Sequence, residues 1–125
     1  MTRARLIAVA LLPLALTAAT RQHRDPLAGR VAGPPVDCID PSFTTSGPTI
    51  IDRNTIEYQL GRTIYRTTPI GSCTSSLEPI STLIVERFGG QLCRNDRFRV
   101  LRPGESIPSP FCRFGAFTPY TKPPK

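Results

Sequence analysis

The sequence predicts a mainly β protein: a small antiparallel sheet or barrel-like domain with two disulfides and with flexible N- and C-terminal tails. Short stretches alternate apolar and polar residues, which is typical of half-buried strands. The 14 prolines and 9 glycines among the 125 residues supply turn formers between these stretches. No segment shows the apolar periodicity of an amphipathic helix of ten or more residues. Several short strands joined by turns favour a sheet, sandwich or barrel.

Residues 1–19 are predicted to be a signal peptide. Arg3 and Arg5 precede an apolar run over residues 6–16, and residues 17–19 fit the small-residue pattern that signal peptidase accepts. The run is shorter than the roughly 20 residues of a transmembrane helix and contains Pro13. An uncleaved N-terminal anchor is the alternative. We expect cleavage, no transmembrane span thereafter, and a periplasmic or secreted protein.

The rest of the chain is predicted to form one domain between two tails. Residues 20–36 lack apolar periodicity and are interpreted as a flexible linker. Residues 37–117 hold the strand patterns and all four cysteines, and they are expected to be the β domain. Residues 118–125 contain three prolines and two lysines and are interpreted as a tail. A domain of this size has a core that gives only marginal stability.

A hairpin-rich meander is predicted in the first half of the domain. Its strands are expected at residues 49–51, 55–60 and 63–67, with turns at 52–54 and 61–62. In the middle strand Ile56, Tyr58 and Leu60 share one face, and the alternating positions, including Glu57, share the other. We therefore expect Glu57 on the solvent side of that strand.

The second half of the domain is less regular. A loop is expected at residues 68–79, a strand or helical turn at 80–88, a strand at 97–102 and a last short strand at 111–117. In the strand at 97–102, Phe98 and Val100 alternate with Arg97 and Arg99, so the two arginines are predicted to share a face.

The four cysteines are predicted to form two disulfides, as is usual for a small exported domain. They are Cys38, Cys73, Cys93 and Cys112. A structural zinc site would place its ligands in close pairs two to four residues apart. Here the gaps are 35, 20 and 19 residues. We therefore expect no metal and no cofactor.

Three disulfide pairings are possible, and the sequence does not select one. Our interpretation is Cys73–Cys93, which would close a local excursion, together with Cys38–Cys112, which would tie the ends of the domain. Each bond would contribute about 3–5 kcal/mol by restricting the unfolded chain. The folded state would then depend on both.

The order of these landmarks resembles a known family. The landmarks are Cys38, the hairpin IIDRNTI, the segment GRTIYRT, Cys73, the segment QLC ending at Cys93, the segment RVL, and Cys112 followed by Gly115 and Phe117. With them the chain resembles a family of small exported four-cysteine proteins of alphaproteobacteria that is classed as a domain of unknown function. The resemblance covers about residues 38–117. Thr74 and Ser75 stand where that pattern has Pro and Gly. The resemblance implies an exported, disulfide-linked domain and no particular activity.

Familiar catalytic constellations are missing from the sequence, and we predict that the protein is not an enzyme. The only histidine, His23, lies in the predicted linker, so a serine or cysteine nucleophile has no histidine base within the domain. No HExxH, P-loop or dinucleotide-binding motif occurs. The carboxylates are scattered, and the chain lacks tryptophan for a sugar-binding cleft.

The positive charge suggests an anionic partner. Sixteen Lys+Arg stand against nine Asp+Glu, and removal of Arg3 and Arg5 with the leader leaves 14 against 9, a net charge of +5. Arginine binds phosphate and carboxylate groups in bidentate fashion. The candidate anion-binding residues are Arg94, Arg97, Arg99 and Arg102. The alternative is that these arginines only form the solvated side of a strand.

These observations predict a non-enzymatic binding or interaction module of the cell envelope with an anion-binding arginine face. Its expected partners are an anionic envelope component or an acidic protein. Nucleic acid is an unlikely partner, given the compartment and the few aromatic residues for stacking. The alternative function is a small secreted enzyme inhibitor or hydrolase. An inhibitor would use the constrained loop RPGESIPSPFC, at residues 102–112.

Overall fold

The computed structural model of the protein describes residues 25–125, and the predicted mainly β fold is confirmed. The strands are β1 (Val31–Ala32), β2 (Cys38–Ile39), β3 (Thr44–Asp52), β4 (Thr55–Leu60), β5 (Thr63–Thr67), β6 (Ile70–Gly71), β7 (Thr82–Val85), β8 (Leu92–Cys93), β9 (Arg97–Leu101), β10 (Cys112–Arg113) and β11 (Phe117–Thr121). Two short 3₁₀ helices lie at Pro41–Phe43 and Ser72–Ser76. The predicted signal peptide and His23 lie outside the described residues.

The strands form three antiparallel sheets. A five-stranded sheet has the order β1-β11-β5-β4-β3, a four-stranded sheet has the order β6-β10-β9-β7, and β2 pairs with β8 alone. In residues 25–125 no helix is both long and apolar enough to cross a membrane.

The meander from β3 to β5 has the predicted order of strands, but β3 is longer than the predicted 49–51 because its pairing with β4 extends back to Thr44. β4 and β5 have the predicted bounds, and Gly61, with φ of 56°, lies in the two-residue turn between them. Ile56 and Tyr58 of β4 are buried, as expected. Glu57 is buried too, which corrects its prediction as a solvated residue. The reason is its partner: Arg66 lies directly opposite Glu57 on β5 and binds its carboxylate.

The core lies between side chains of the two larger sheets. Ile56 and Tyr58 enter it from the five-stranded sheet, and Phe98 and Val100 enter it from β9. Phe114 lies where the chain passes from β10 to β11, and its ring centroid is 4.4 Å from that of Phe98 and 6.1 Å from that of Tyr58. A single aromatic ring thus contacts both layers of the core.

Gly115 allows the chain to pass from one sheet to the other. A Cβ at this position would lie 2.7 Å from the carbonyl oxygen of Thr68. The Gly115 N–H donates to that oxygen at 3.1 Å, and its carbonyl accepts from the Thr67 hydroxyl at 3.1 Å. The last predicted strand, at 111–117, is therefore split: β10 ends at Arg113, and β11 begins at Phe117 in the other sheet.

All four cysteines form disulfides, but our interpretation of their pairing is wrong. The bonds are Cys38–Cys93 and Cys73–Cys112. Cys38 lies directly opposite Cys93 in the β2–β8 pair, with Cα atoms 4.0 Å apart. The helix at Ser72–Ser76 places Cys73 beside β10, which carries Cys112. Contacts between elements that are distant along the chain, not proximity along the chain, select the bonds.

The sheet also extends into both predicted tails. β1 lies within residues 20–36 and pairs with β11, and β11 continues past residue 117 to Thr121. The carbonyl of Pro119 accepts a hydrogen bond from the Gly33 N–H, so the proline nitrogen also faces the short edge strand. Arg30 adds hydrogen bonds to the carbonyls of Arg62 and Tyr120. A proline-rich tail is thereby accommodated beside an edge of the sheet.

We predict that reduction unfolds the domain. The bonds span 55 and 39 residues, and loops of this length contribute about 4 kcal/mol each. Thermal unfolding followed by circular dichroism, with and without phosphine reductant, tests this. Cys73→Ser/Cys112→Ser should cost more stability than Cys38→Ser/Cys93→Ser, because Cys73 and Cys112 are fully buried. An unchanged transition in reductant would contradict the prediction.

We also predict that Gly115→Ala destabilises the protein by about 1–3 kcal/mol, because the new methyl group is forced against backbone. Gly90→Ala is the control, since a Cβ there meets nothing within 4 Å. Urea unfolding of both variants measures the difference. Equal stabilities would show that the passage at Gly115 is less constrained than its geometry implies.

Candidate functional site

The outer face of the four-stranded sheet carries two of the predicted anion-binding residues. Phe98 and Val100 of β9 point into the core and are fully buried. Because side chains alternate along a strand, Arg97 and Arg99 point to the opposite, outer side. The predicted alternation is thus present in β9.

β10 adds two further side chains to this face. Arg113 lies directly opposite Arg97 in the β9–β10 pair, and the same register places Phe111 opposite Arg99. The Phe111 ring centroid is 3.9 Å from the Arg99 guanidinium carbon and 4.6 Å from that of Arg97. One aromatic ring therefore contacts both arginines of β9. We call Arg97, Arg99, Arg113 and Phe111 the arginine face.

The arginine face has an excess of positive charge. Arg97 forms an ion pair of 2.9 Å with Glu86 at the end of β7. Within residues 25–125, neither Arg99 nor Arg113 has a carboxylate within ion-pair distance. The Arg99 Nε is buried without a hydrogen-bond partner in the described part of the chain. The contact that the structure gives the Arg99 guanidinium is with the Phe111 ring.

Apolar side chains and a shallow cavity border the arginine face. Ile70 on β6 lies opposite Arg113 and is 57% exposed, and Ile84 on β7 lies opposite Arg99 and is 40% exposed. A cavity of about 560 Å³ lies beside Arg97, Arg113 and Phe111. The face thus combines cationic groups, an aromatic ring and exposed aliphatic groups.

The other two predicted arginines lie outside this face. Arg94 is 3.9 Å from Asp37, near the β2–β8 pair. Arg102 binds Glu105 within a loop, and the hydrogen bond from Arg102 lowers the pKa of the Glu105 carboxyl. The structure thus brings Arg97 and Arg99 together and does not bring Arg94 or Arg102 to them.

Arg113 and Phe111 were not predicted from the sequence as part of the anion-binding site. Their signal is the alternation over residues 111–114, in which the buried Cys112 and Phe114 are interleaved with Phe111 and Arg113. That pattern predicts an outward-facing pair. Its position beside Arg97 depends on the pairing of β9 with β10, which the sequence does not specify.

A second cavity lies on the outer side of the five-stranded sheet. It has a volume of about 440 Å³ and is lined by Glu57, Arg66, Gln59, Ile64 and residues near Pro26. The Arg66 guanidinium lies 2.5 Å from the Glu57 carboxylate and 5.7 Å from the Tyr120 ring centroid. The two charges thus neutralise each other in the wall of this cavity, which carries no excess charge from this pair.

The loop considered for enzyme inhibition is held close to β9. The hydroxyl of Ser109 accepts from the Val100 N–H, and the Ser109 N–H donates to the Val100 carbonyl. Arg102 and Glu105 pair at its start, and Ile107 is 82% exposed. The loop is constrained as expected, with one large apolar side chain outside.

Comparison with known proteins found no match: no family model, no curated protein and no solved structure matches the chain. Within the part of the chain that the structure describes, no group of three or more His, Cys, Asp or Glu residues could hold a metal ion. Family membership and the absence of enzymatic activity stay predictions.

We predict that Arg66→Ala lowers the free energy of unfolding by about 1–3 kcal/mol, because it leaves the Glu57 carboxylate buried and unpaired. Glu57→Leu/Arg66→Leu should recover most of that loss, because no buried charge remains. Urea denaturation of both variants measures the two values. If the double variant were as unstable as Arg66→Ala or less stable, the unpaired Glu57 carboxylate would not be the cause of the loss.

Proposed function

We propose that the protein is an exported, non-enzymatic binding module whose arginine face docks onto a phosphate-bearing surface of the cell envelope. The observation that carries this proposal is the cross-strand cluster of Arg97, Arg99 and Arg113 with one carboxylate partner, Glu86. Three guanidinium groups against one carboxylate leave a local excess of two positive charges.

The Phe111 ring supports phosphate binding through its position. It lies near the guanidinium carbons of Arg97 and Arg99, and a stacked guanidinium keeps the N–H groups at its edge available. Those N–H groups match the oxygens of a phosphate in bidentate geometry. Since the contact restrains the arginines in advance, less side-chain entropy is lost when the anion binds.

The flanking isoleucines favour a lipid surface over an acidic protein. Ile70 and Ile84 lie on opposite edges of the arginine face, and about half of each side chain is exposed. An interface of cationic groups with exposed aliphatic groups suits the boundary between phosphate headgroups and acyl chains. Phospholipid headgroups and lipopolysaccharide share this chemistry.

The compartment is part of the proposal. Two disulfides fit a protein of an oxidising compartment. Cleavage of residues 1–19 and a periplasmic or secreted location would bring the arginine face to the phosphates of the envelope.

We predict that the protein binds vesicles of phosphatidylglycerol more tightly than vesicles of phosphatidylcholine, and that salt weakens the binding. At about 1 kcal/mol for each arginine near the surface, Arg97→Ala/Arg99→Ala/Arg113→Ala should weaken binding roughly 100-fold. Arg53→Ala/Arg94→Ala/Arg102→Ala removes the same charge from other sites and should weaken it only a few-fold. Vesicle sedimentation measures the affinities, with lipopolysaccharide as a second ligand.

Equal losses in the two triple variants would overturn the proposed site, because net charge would then explain binding. Binding to neither anionic vesicles nor lipopolysaccharide would overturn the proposed partner. Circular dichroism of each variant separates lost binding from lost folding.

A further inference from the structure

A groove separates the two larger sheets where their edge strands β3 and β7 run side by side. Pro48, Thr49 and Ile50 of β3 face residues near Leu83 across a cavity of about 470 Å³. An adjoining cavity, of about 350 Å³, continues from Pro48 and Leu83 toward Arg87. The cavities share two lining residues and therefore form one groove. Along the groove, from the Arg87 end to the Pro79 end, the residue numbers of β3 increase while those of β7 decrease. The two edge strands therefore run antiparallel to each other.

The outer edge of β7 presents unpaired backbone groups to this groove. On β9, the N–H and carbonyl of Val100 are bonded to Ser109, on the side away from β7. The pair Leu83–Val100 is therefore a non-hydrogen-bonded pair of the antiparallel ladder. It follows that the N–H and carbonyl of Leu83, and those of Val85 two residues on, point away from β9.

The outer edge of β3 also presents unpaired backbone groups to the groove. The register across the five-stranded sheet shows this. The Pro119 carbonyl is bonded to Gly33, so the backbone groups of Pro119 face β1. Pro119 and Tyr65 are therefore a non-hydrogen-bonded pair, and the backbone groups of Tyr65 face β4. Tyr65 and Tyr58 are then a hydrogen-bonded pair, so the backbone groups of Tyr58 face β5. Pro48 lies opposite Tyr58 and must direct its carbonyl away from β4.

The same alternation turns the N–H and carbonyl of Ile50 toward the groove. Pro48 has no N–H to leave unpaired, which is typical of an edge strand. In residues 25–125, β3 and β7 have no strand partner on these sides. Two edges that both lack a partner thus line one groove.

The side chains around the groove fit an apolar, extended chain. Tyr58 and Leu92, both buried, line the half toward Arg87. Three of the most exposed apolar side chains adjoin the lining residues in sequence: Phe43 at 69%, Ile80 at 73% and Phe88 at 84% exposure. Exposed apolar groups clustered around a groove mark an interaction surface.

One end of the groove carries a positive charge. Arg87 lines it together with Tyr58 and Ser42. Arg87 forms no ion pair in the described part of the chain, but the Asp40 carboxyl lies near it. Hydrogen bonds from Ser42 and, to a smaller extent, the charge of Arg87 lower the pKa of that carboxyl. The Tyr58 side chain also lines this end, and burial raises the pKa of its hydroxyl well above the ordinary value. A carboxylate is the complementary group for this end.

We propose that the groove between β3 and β7 binds the C-terminal segment of a partner polypeptide, as a strand antiparallel to β3 with its terminal carboxylate at Arg87. In this direction the peptide backbone pairs with the Pro48 carbonyl and with both backbone groups of Ile50. Its alternate side chains enter the apolar groove, and its carboxylate meets the guanidinium. This function is separate from the arginine face and does not depend on it.

The probe for this proposal is a library of random octapeptides displayed with free C-termini and selected against the folded protein. We expect enrichment of sequences with alternating apolar residues near the C-terminus. For a synthetic peptide of the enriched sequence, C-terminal amidation should weaken binding at least about tenfold, the size of one charge-assisted hydrogen bond. Arg87→Ala should weaken binding of the free-acid peptide by a similar factor and leave binding of the amidated peptide unchanged. The reason is that the substitution and the amidation remove the same interaction.

The controls locate the peptide. Arg53→Ala removes one exposed charge elsewhere and should leave the affinity unchanged, as should Arg97→Ala/Arg99→Ala/Arg113→Ala. In proton–nitrogen correlation spectra, the peptide should shift the amides of Ile50, Leu83 and Val85, which line or flank the groove, and slow the hydrogen exchange of the Ile50 amide, with which it pairs. These backbone readouts do not require any variant to fold.

Three results would overturn the proposal. The first is a library without enrichment. The second is a peptide that binds equally well as its amide, or that loses affinity with the three arginines of the arginine face. The third is a dimer in sedimentation with the Ile50 and Leu83 amides protected before peptide is added, which would make a second copy of this chain the occupant.

Discussion

The passage of the chain from β10 to β11 is the constraint on which the rest of the structure depends. Within a few residues, Cys112 is bonded to Cys73, Phe114 contacts both layers of the core, and Gly115 lies against the Thr68 backbone. The N–H and the carbonyl of Phe114 both form hydrogen bonds with the backbone of the loop before β9. A small domain has few core residues, so a segment that belongs to both sheets supplies much of what holds them together.

The same passage determines the arginine face. The disulfide to Cys73 and the burial of Phe114 fix β10 against β9, and this pairing places Arg113 beside Arg97. Phe111, one residue before Cys112, is then held near two guanidinium groups. Arginines that are positioned by the core bind an anion at a lower entropic cost than arginines on a mobile tail. The stability of the domain and the geometry of its proposed binding surface therefore have a common origin.

β7 connects the two proposed surfaces. Its alternate residues point to opposite sides, so Ile84 borders the arginine face whereas Leu83 and Val85 line the groove. The strand is short and paired on one side only, so its unpaired edge faces the groove. Together the two proposals describe a disulfide-linked scaffold that would hold a partner polypeptide at an anionic surface.

The sequence by itself determined the local elements. The alternation of apolar and polar residues predicted β4 and β9, the β-forming residues after the turn at 61–62 predicted β5, and the four cysteines predicted two disulfides. These features can be predicted because the period of two is a property of each strand taken alone. The shared orientation of Arg97 and Arg99 followed from the same rule.

Only the tertiary structure decided which distant strands meet. The pairing of Cys38 with Cys93, the burial of Glu57 opposite Arg66, and the position of Arg113 beside Arg97 all depend on the register between strands. The proline-rich C-terminal segment became a strand because β5 and β1 offered it partners. Register is set by how the whole core packs, so no local pattern of residues specifies it.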